Sequence, residues 1–262
     1  MRYHALFSLA AIGASMLGAQ PIHCPGQYRG HLQGIATDGQ HIYWSFTANI
    51  VTTDLSGNLL ANMPVRSHHG DLCYHDGKLY VAVNFGRFNT EAGADSHVYV
   101  YQADNLALLA KHPVPELVHG AGGMDCRDGR FYVIGGLPKD HQQNYVYEYD
   151  NAFTFIKRHV IASGQTLMGI QTACFAHGSW WFGCYGKPAL LQCDSDFKLL
   201  AKHSFNTAVG LAVLPDGSLI AGRTPKHDDP EKEGRFLYTG HVLPAVLDPA
   251  QGIRAVTPPP KQ

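Results

Sequence analysis

The amino-acid sequence predicts an all-β protein, a five-bladed β-propeller made of four-stranded antiparallel blades. Two observations lead to this prediction. A short turn recurs five times along the chain, and each turn joins a strand rich in small residues to a strand rich in aromatic and β-branched residues. Two further strand-like segments follow each turn. Each copy therefore spans about 40–50 residues, which is typical of one propeller blade.

The five turns share one pattern, a polar residue followed by glycine: Asp38-Gly39, Asp76-Gly77, Asp128-Gly129, His177-Gly178 and Asp216-Gly217. Asp-Gly between two strand-like segments is the strongest short-range predictor of a hairpin. The strands before the turns include "HGAGGMDCR" and "MGIQTACFA". Small residues suit them because the innermost strands of a propeller converge on its axis. A β-sandwich, the alternative all-β fold, would not require copies that match one another so closely.

Composition limits the kinds of partner. The chain has 262 residues, of which 45% are hydrophobic and 16% are charged, and its formal net charge is -1. These values suit one large core. Near-neutral charge without runs of lysine or arginine argues against nucleic acid and against an anionic membrane surface. We expect a monomer that takes a small-molecule or glycan substrate.

The first residues, "MRYHALFSLAAIGASMLGAQP", have the pattern of a secretory signal peptide. Arg2 provides a basic start, an apolar run follows it, and small residues precede Gln20. We predict a signal peptide over residues 1–19, cleaved after Ala19, and a single propeller domain over residues 20–262. The protein is then secreted or periplasmic.

Export changes how the cysteines are interpreted. Six cysteines are an even number, and disulfides form in oxidising compartments. We predict at least one disulfide, with Cys24 as a participant that ties the N-terminal segment to the body. The sequence does not assign the pairs, because six cysteines allow 15 connectivities. A two-residue turn at His177-Gly178 would place Cys174 and Cys184 out of register, which argues against a bridge between them.

Polar residues recur where the innermost strands begin, at the mouth of the predicted channel. His31 and His69 each lie seven residues before their turn, and His119 and Gln171 lie within two residues of that position. We predict that these four side chains form one ring. The ring could hold a divalent transition metal, with Mn, Zn and Fe as candidates. Alternatively, it could line a wet channel or carry out metal-free histidine catalysis.

The loops between the second and third strands of the blades fall on the same face. Function usually lies on loops over a rigid scaffold. We predict His68, Arg87 and Tyr185 as catalytic residues. A concentration of polar and cationic residues around the ring suits a carboxylated or polyhydroxylated substrate, and the predicted substrate-binding residues are Asn84, Lys139, Lys187 and Arg223.

The first blade resembles a known family. The segment "QGIATDGQHIYWSFTANIVTTDLSGNLL" is similar to the opening repeat of the propeller-type glutaminyl cyclases, through Gln33-Gly34, Asp38-Gly39 and Asp54-Leu55. The resemblance covers one blade, and it implies a secreted five-bladed propeller of similar size.

The predicted ring of three histidines and a glutamine resembles the manganese site of the oligogalacturonate lyases, which are seven-bladed propellers. The resemblance implies β-elimination on a uronate. The metal and Arg87 would neutralise the substrate carboxylate, and His68 or Tyr185 would remove the neighbouring proton. The other hypothesis is a non-catalytic propeller that binds a glycan or a protein at this face.

Overall fold

The structure is a computed structural model that describes residues 20–256. The predicted signal peptide and its cleavage point lie outside the described residues. Five β-sheets are arranged as a β-propeller, so the predicted fold is confirmed. No helix in the described range is long and apolar enough to cross a membrane.

The chain begins with strand β1 (Ile22–Tyr28) and then builds four blades of four consecutive strands, each running outward from the axis. Blade 1 contains β2 (Leu32–Thr37), β3 (His41–Phe46), β4 (Asn49–Asp54) and β5 (Leu59–Pro64). Blade 2 contains β6 (His69–His75), β7 (Lys78–Asn84), β8 (Ser96–Gln102) and β9 (Leu108–Pro113). Blade 3 contains β10 (Ala121–Arg127), β11 (Arg130–Gly135), β12 (Asn144–Tyr149) and β13 (Phe155–Ile161). Blade 4 contains β14 (Leu167–Ala176), β15 (Ser179–Tyr185), β16 (Leu190–Cys193) and β17 (Leu199–His203).

Blade 5 combines the two ends of the chain. Its strands are β18 (Leu211–Val213), β19 (Leu219–Arg223), β20 (Lys226–Asp228), β21 (Phe236–Asp248) and β22 (Gly252–Ala255). Strand β1 pairs antiparallel with β21 and, with β22, completes the outer edge of this sheet. The N-terminal segment therefore closes the ring through backbone hydrogen bonds, a role that the sequence did not predict.

All five predicted turns join the first two strands of a blade. Asp76-Gly77, Asp128-Gly129 and His177-Gly178 form two-residue turns in which both residues have positive φ. These are the turns whose twist matches antiparallel strands. The other two connections are longer, because Thr37 pairs with Ile42 and Val213 pairs with Leu219.

Five hydrophobic clusters form the core, one at each interface between neighbouring blades. At the junction of blades 5 and 1, for example, Trp44 belongs to the same cluster as Ile220 and Val242. The aromatic and β-branched residues of the second and third strands fill these interfaces, as sheets packed face to face require.

The predicted disulfide is not found, because all six cysteines are free. Cys24 lies buried in β1, where its thiol is 3.8 Å from the Tyr28 hydroxyl and burial raises its pKa to about 12. The expectation about register is confirmed: Cys174 lies opposite Trp181, whereas Cys184 lies opposite Ile170.

Candidate functional site

A cavity of about 660 Å³ opens at the mouth of the central channel. The beginnings of the innermost strands of all five blades contribute to its wall, together with the loops after β7 and β19. The lining residues are His31, Gln33, His68, Asn84, Gly86, Phe88, Ala121, Gly122, Met168, Gln171, Tyr185, Val209, Thr224, Lys226 and Tyr238.

Two histidines of this cavity share one amide group. The Gln33 Nε2 atom lies 3.3 Å from His31 Nε2, 3.2 Å from His68 Nε2 and 3.0 Å from Thr47 Oγ1. An amide nitrogen carries only two protons, so it cannot satisfy three acceptors at once. One of these acceptors therefore remains available to a bound molecule.

A hydrogen bond orients one of the two imidazoles, and its surroundings lower the pKa of the other. His31 Nδ1 lies 2.8 Å from the Leu32 carbonyl oxygen and donates to it. The His68 side chain is exposed at the cavity wall, and its partial burial among the surrounding residues lowers its pKa, which the neighbouring His31 lowers further. His68 is therefore a neutral imidazole at neutral pH, which is the form that accepts a proton.

A tyrosine faces the same cavity. Burial raises the pKa of Tyr185 to about 12, so its phenol keeps its proton at neutral pH. The rings of Tyr185 and Tyr238 approach His31 edge-on, with centroid distances of 6.4 and 5.9 Å. The cavity thus combines the neutral imidazole of His68 with a neutral phenol, and Lys226 is its one lysine or arginine among the described residues.

Two of the predicted residues reach the cavity with part of their hydrogen-bonding capacity already used. The Asn84 side chain accepts from the backbone N–H of Asp95 and donates to the Gly86 carbonyl, so it holds the loop after β7 in place. Gln171 Nε2 donates to the Met168 carbonyl at 2.7 Å. Its Oε1 is the atom that can still accept from a ligand.

His69 does not reach the cavity. It is fully buried, with Nδ1 2.7 Å from the Arg66 carbonyl and Nε2 2.8 Å from the Tyr101 hydroxyl. Both ring nitrogens are therefore occupied, and burial lowers the pKa of His69 to about 4. Strand β6 has a bulge between His69 and Leu72, whereas β2 has its bulge between Leu32 and Gly34. His31 and His69 therefore point in different directions although each lies seven residues before its turn.

His119 is also outside the cavity lining. Its Nε2 atom lies 3.5 Å from the Glu91 carboxylate, beside His141. The structure therefore brings His31 and Gln171 to the cavity without His69 or His119, and the prediction that these four side chains form one ring is wrong.

The predicted cationic residues lie away from the cavity lining as well. The Arg87 side chain packs against Gly93 within its own loop. Arg223 Nη1 donates to the Asn206 and Gly222 carbonyls. Lys139 is exposed, and Lys187 lines a separate surface pocket. Their assignment to substrate binding or catalysis at this cavity is therefore not supported by their positions.

Four polar lining residues were not among the predicted site residues: Gln33, Thr224, Lys226 and Tyr238. Gln33 lies two residues after the predicted His31, and Lys226 lies three residues after the predicted Arg223. The sequence pattern therefore already indicated that both segments reach the channel mouth. Tyr238 comes from the long strand β21, and its place in the wall depends on how blade 5 closes.

Two groups of side chains among the described residues could hold a metal ion. One is Cys73, Asp125 and Cys126, and the other is Glu91, His119 and His141. Within each group the ligand atoms lie within 4.8 Å of one another. Neither group contains His31, His69 or Gln171.

Fold and cavity together define a five-bladed propeller with a pocket at the mouth of its channel, in which polar side chains lie in a largely apolar wall. No protein-family model and no curated protein matches the sequence. Solved structures of the same fold include a glutaminyl cyclase of Myxococcus xanthus, with 11% identity, a TM-score of 0.56, and 86% of this chain and 98% of that chain covered.

Two other structures of the fold are a xylan β-1,4-xylosidase from Bacillus halodurans C-125 and the GH43B protein of a Bacteroides ovatus xyloglucan PUL. The xylosidase has 14% identity, a TM-score of 0.60, and 89% of this chain and 56% of that chain covered. The GH43B protein has 14% identity, a TM-score of 0.61, and coverages of 91% and 58%. This chain spans little more than half of these two proteins. At such identities the likeness concerns the fold.

Proposed function

We propose that this protein is an exported enzyme that acts on a carbohydrate bearing a carboxylate, and that it cleaves the glycosidic bond by β-elimination in the channel-mouth cavity. The observation that carries the proposal is the chemistry of the cavity wall. It combines a neutral imidazole, a neutral phenol and one lysine, and none of its described lining residues is an aspartate or a glutamate.

That lining disfavours glycoside hydrolysis in the cavity. Most glycoside hydrolases use a pair of carboxyl groups that flank the scissile bond, one as the acid and one as the base or nucleophile. β-Elimination needs a base for the proton beside the substrate carboxylate, an acid for the leaving oxygen, and a positive charge for the carboxylate. The cavity wall contains a candidate for each role: His68 as the base, Tyr185 as the acid and Lys226 as the positive charge. The Lys226 ammonium lies 3.2 Å from the centre of the Phe236 ring and would have to turn toward a bound carboxylate.

In this mechanism the Lys226 ammonium binds the uronate carboxylate and makes the C5 proton more acidic. His68 removes that proton through the ring nitrogen that carries no proton in the neutral imidazole. The electron pair of the C5–H bond forms the C4–C5 double bond as the C4–O4 bond breaks, and Tyr185 donates its proton to the departing oxygen. Proton transfer from His68 back to Tyr185, directly or through water, restores both groups.

His31 and Gln33 are positioning residues in this scheme. The Gln33 amide lies within hydrogen-bonding distance of both imidazoles, and His31 is held by its own bond to the Leu32 carbonyl. The expected divalent transition metal, Mn, Zn or Fe, has no role in this mechanism, because the candidate metal-binding groups of the described residues lie outside the cavity lining.

Several other features agree with an exported enzyme acting on glycans. The N-terminal sequence has the pattern of a secretory signal, and two proteins of the same fold are named for xylan and xyloglucan. We propose that the mature chain acts as a monomer on a small-molecule or glycan substrate, without nucleic acid or membrane as partner.

The direct test is incubation of the purified mature protein with 4-linked oligogalacturonides and, as a neutral control, with xylo-oligosaccharides. We expect the ultraviolet absorbance of a 4,5-unsaturated uronate product from the first substrate only. The His68→Gln variant should lose at least about 100-fold in kcat, the low end of what a general base contributes. His75→Gln, at a half-exposed histidine beside a hairpin turn, is the matched control.

New reducing ends without the unsaturated product would show hydrolysis and overturn the elimination mechanism. Binding of the oligosaccharide without turnover would instead support the alternative, a non-catalytic propeller that binds a glycan at this face.

A further inference from the structure

Three side chains from two blades converge outside the cavity. Glu91 lies on the loop 85–95 of blade 2, His119 lies just before β10 of blade 3, and His141 lies on the loop 136–143 of blade 3. One Glu91 oxygen is 2.8 Å from His141 Nε2, and the other is 3.5 Å from His119 Nε2. The two imidazole centroids are 5.3 Å apart.

We infer that Glu91, His119 and His141 form a binding site for a divalent transition metal of the zinc type. Two imidazoles and one carboxylate are a ligand set that zinc and ferrous iron use in proteins, with positions left open for water. This inference is independent of the proposed function, since none of these three residues lines the cavity.

The exposure of the three side chains suits the small closure that a metal requires. Ligand atoms that lie within 4.8 Å of one another must approach a common centre at about 2.0–2.2 Å. The His119 side chain is only 6% exposed and is therefore fixed, whereas Glu91 is 67% exposed and His141 is 32% exposed. The buried histidine provides the anchor, and the two loop residues can move toward it.

The imidazoles face the carboxylate without competing hydrogen bonds. Within residues 20–256, Nε2 of His119 and Nε2 of His141 have Glu91 as their only hydrogen-bonding or ion-pair partner. His69 shows the contrast, because backbone and tyrosine oxygens occupy both of its nitrogens. Two imidazoles directed at one carboxylate present three ligand atoms to one point in space.

A metal at this site would fix the loop that forms one wall of the cavity. The loop is already attached to blade 3 two residues earlier, where the Asn89 N–H donates to the His119 carbonyl and Asn89 Oδ1 accepts from the Leu137 N–H. Phe88, on the same loop, reaches the cavity lining. The metal would add a second attachment between blades 2 and 3 and limit the movement of this wall.

The test uses the purified mature protein, freed of metal with a chelator, and Zn²⁺ and Co²⁺ as probes. We expect one equivalent of Zn²⁺ by calorimetry, a Co²⁺ visible spectrum typical of nitrogen and oxygen ligands, and slower proteolysis of loop 85–95 when Zn²⁺ is bound. His141→Ala and Glu91→Gln should each weaken Zn²⁺ binding by more than about 100-fold, since loss of supporting groups alone costs 10–100-fold.

The matched control is His97→Ala. His97 Nε2 lies 2.8 Å from Asp95 at the end of the same loop, and among residues 20–256 no third metal-ligating group joins this pair. This variant should bind Zn²⁺ like the parent. The inference fails if the parent binds no stoichiometric Zn²⁺, or if His141→Ala binds it as tightly as the parent. It also fails if His68→Ala, in the cavity, removes the binding while His141→Ala does not.

Discussion

The proposed chemistry depends on the protonation states of two residues, His68 and Tyr185. Burial and the neighbouring His31 lower the pKa of His68 below its ordinary value of about 6.5, and burial raises the pKa of Tyr185 to about 12. A base must be neutral and an acid must be protonated. Both conditions hold over the whole range between these two values.

We therefore expect kcat/KM to be nearly constant from about pH 7 to about pH 9 and to fall in acid, with a midpoint below about 6.5. The fall in acid reflects protonation of His68. The measurement is a pH–rate profile with an oligogalacturonide. A midpoint above 6.5, or a decline between pH 7 and 9, would contradict the assignment of His68 and Tyr185 as base and acid.

His69 was predicted to be a metal ligand, whereas in the structure it is a buried core residue. Its neighbour His68 lines the cavity, whereas His69 is buried and joins the Arg66 carbonyl to the Tyr101 hydroxyl. Loss of the ring would leave two polar groups without partners and an empty volume in the core. His69→Ala should lower the free energy of unfolding by about 2–5 kcal/mol.

Urea unfolding of His69→Ala and of the control His75→Ala measures this effect. The half-exposed His75 should change stability by less than about 0.5 kcal/mol. Unchanged stability of His69→Ala together with lost metal binding would restore the metal role that its sequence position suggested.

At the scale of single elements, the innermost strands depend on glycine for close approach. A Cβ at Gly123 in β10 would collide with the Gln171 carbonyl of β14, which is backbone and cannot rotate away. A Cβ at the adjacent Gly122 would meet its nearest atom, the Ile170 carbonyl oxygen, at 3.2 Å. Neither glycine has a positive φ, so the comparison isolates packing from backbone strain.

Gly123→Ala should therefore destabilise the fold by about 1–3 kcal/mol, the usual cost of overpacking, and by more than Gly122→Ala. Thermal unfolding of the two variants and the parent gives the comparison. Equal melting temperatures for both variants would show that the inner strands move apart at little cost.

At the scale of the whole molecule, the repeat explains why the fold was predictable. Three Xaa-Gly turns with both residues at positive φ mark the centres of three inner hairpins, and turn chemistry of this kind is local. Closure of the ring by β1 was not predictable in the same way. It depends on pairing between Ile22 and Val242, which are far apart in sequence.

The candidate site was only partly predictable for a related reason. The position of the inner-strand starts selected His31, His68 and Gln171, and the segments after the second strands selected Asn84 and Tyr185. All five line the cavity. The direction of a side chain near a bulge was not predictable, because one extra residue moves the following side chains to the other face. Loop residues such as Arg87 were equally uncertain, since contacts within the loop decide where they point.

The channel also contains an acid whose protonation couples to the stability of the whole molecule. Asp71 is fully buried among the innermost strands, where its Oδ2 accepts from the Ala173 N–H and its Oδ1 has no hydrogen-bond partner. Burial raises the pKa of Asp71 well above its ordinary value, and the nearby Asp125, whose own pKa burial raises to about 7, adds to the effect. In the unfolded chain both groups titrate near 3.9.

Between about pH 4 and the raised values, the folded protein binds more protons than the unfolded chain, so its stability falls as pH rises. Asp71→Asn removes one of these groups and keeps an oxygen for the Ala173 N–H. We expect the variant to gain stability relative to the parent as pH rises from 5 to 7, by up to about 1.4 kcal/mol per pH unit. Urea unfolding at several pH values measures this slope.

Asp216→Asn is the control, because hydrogen bonds from Ser218 lower the pKa of this exposed turn residue and its titration lies below that range. Parallel pH dependence of Asp71→Asn and the parent would mean that Asp71 is ionised in the folded protein, and that the channel is wetter than its packing indicates.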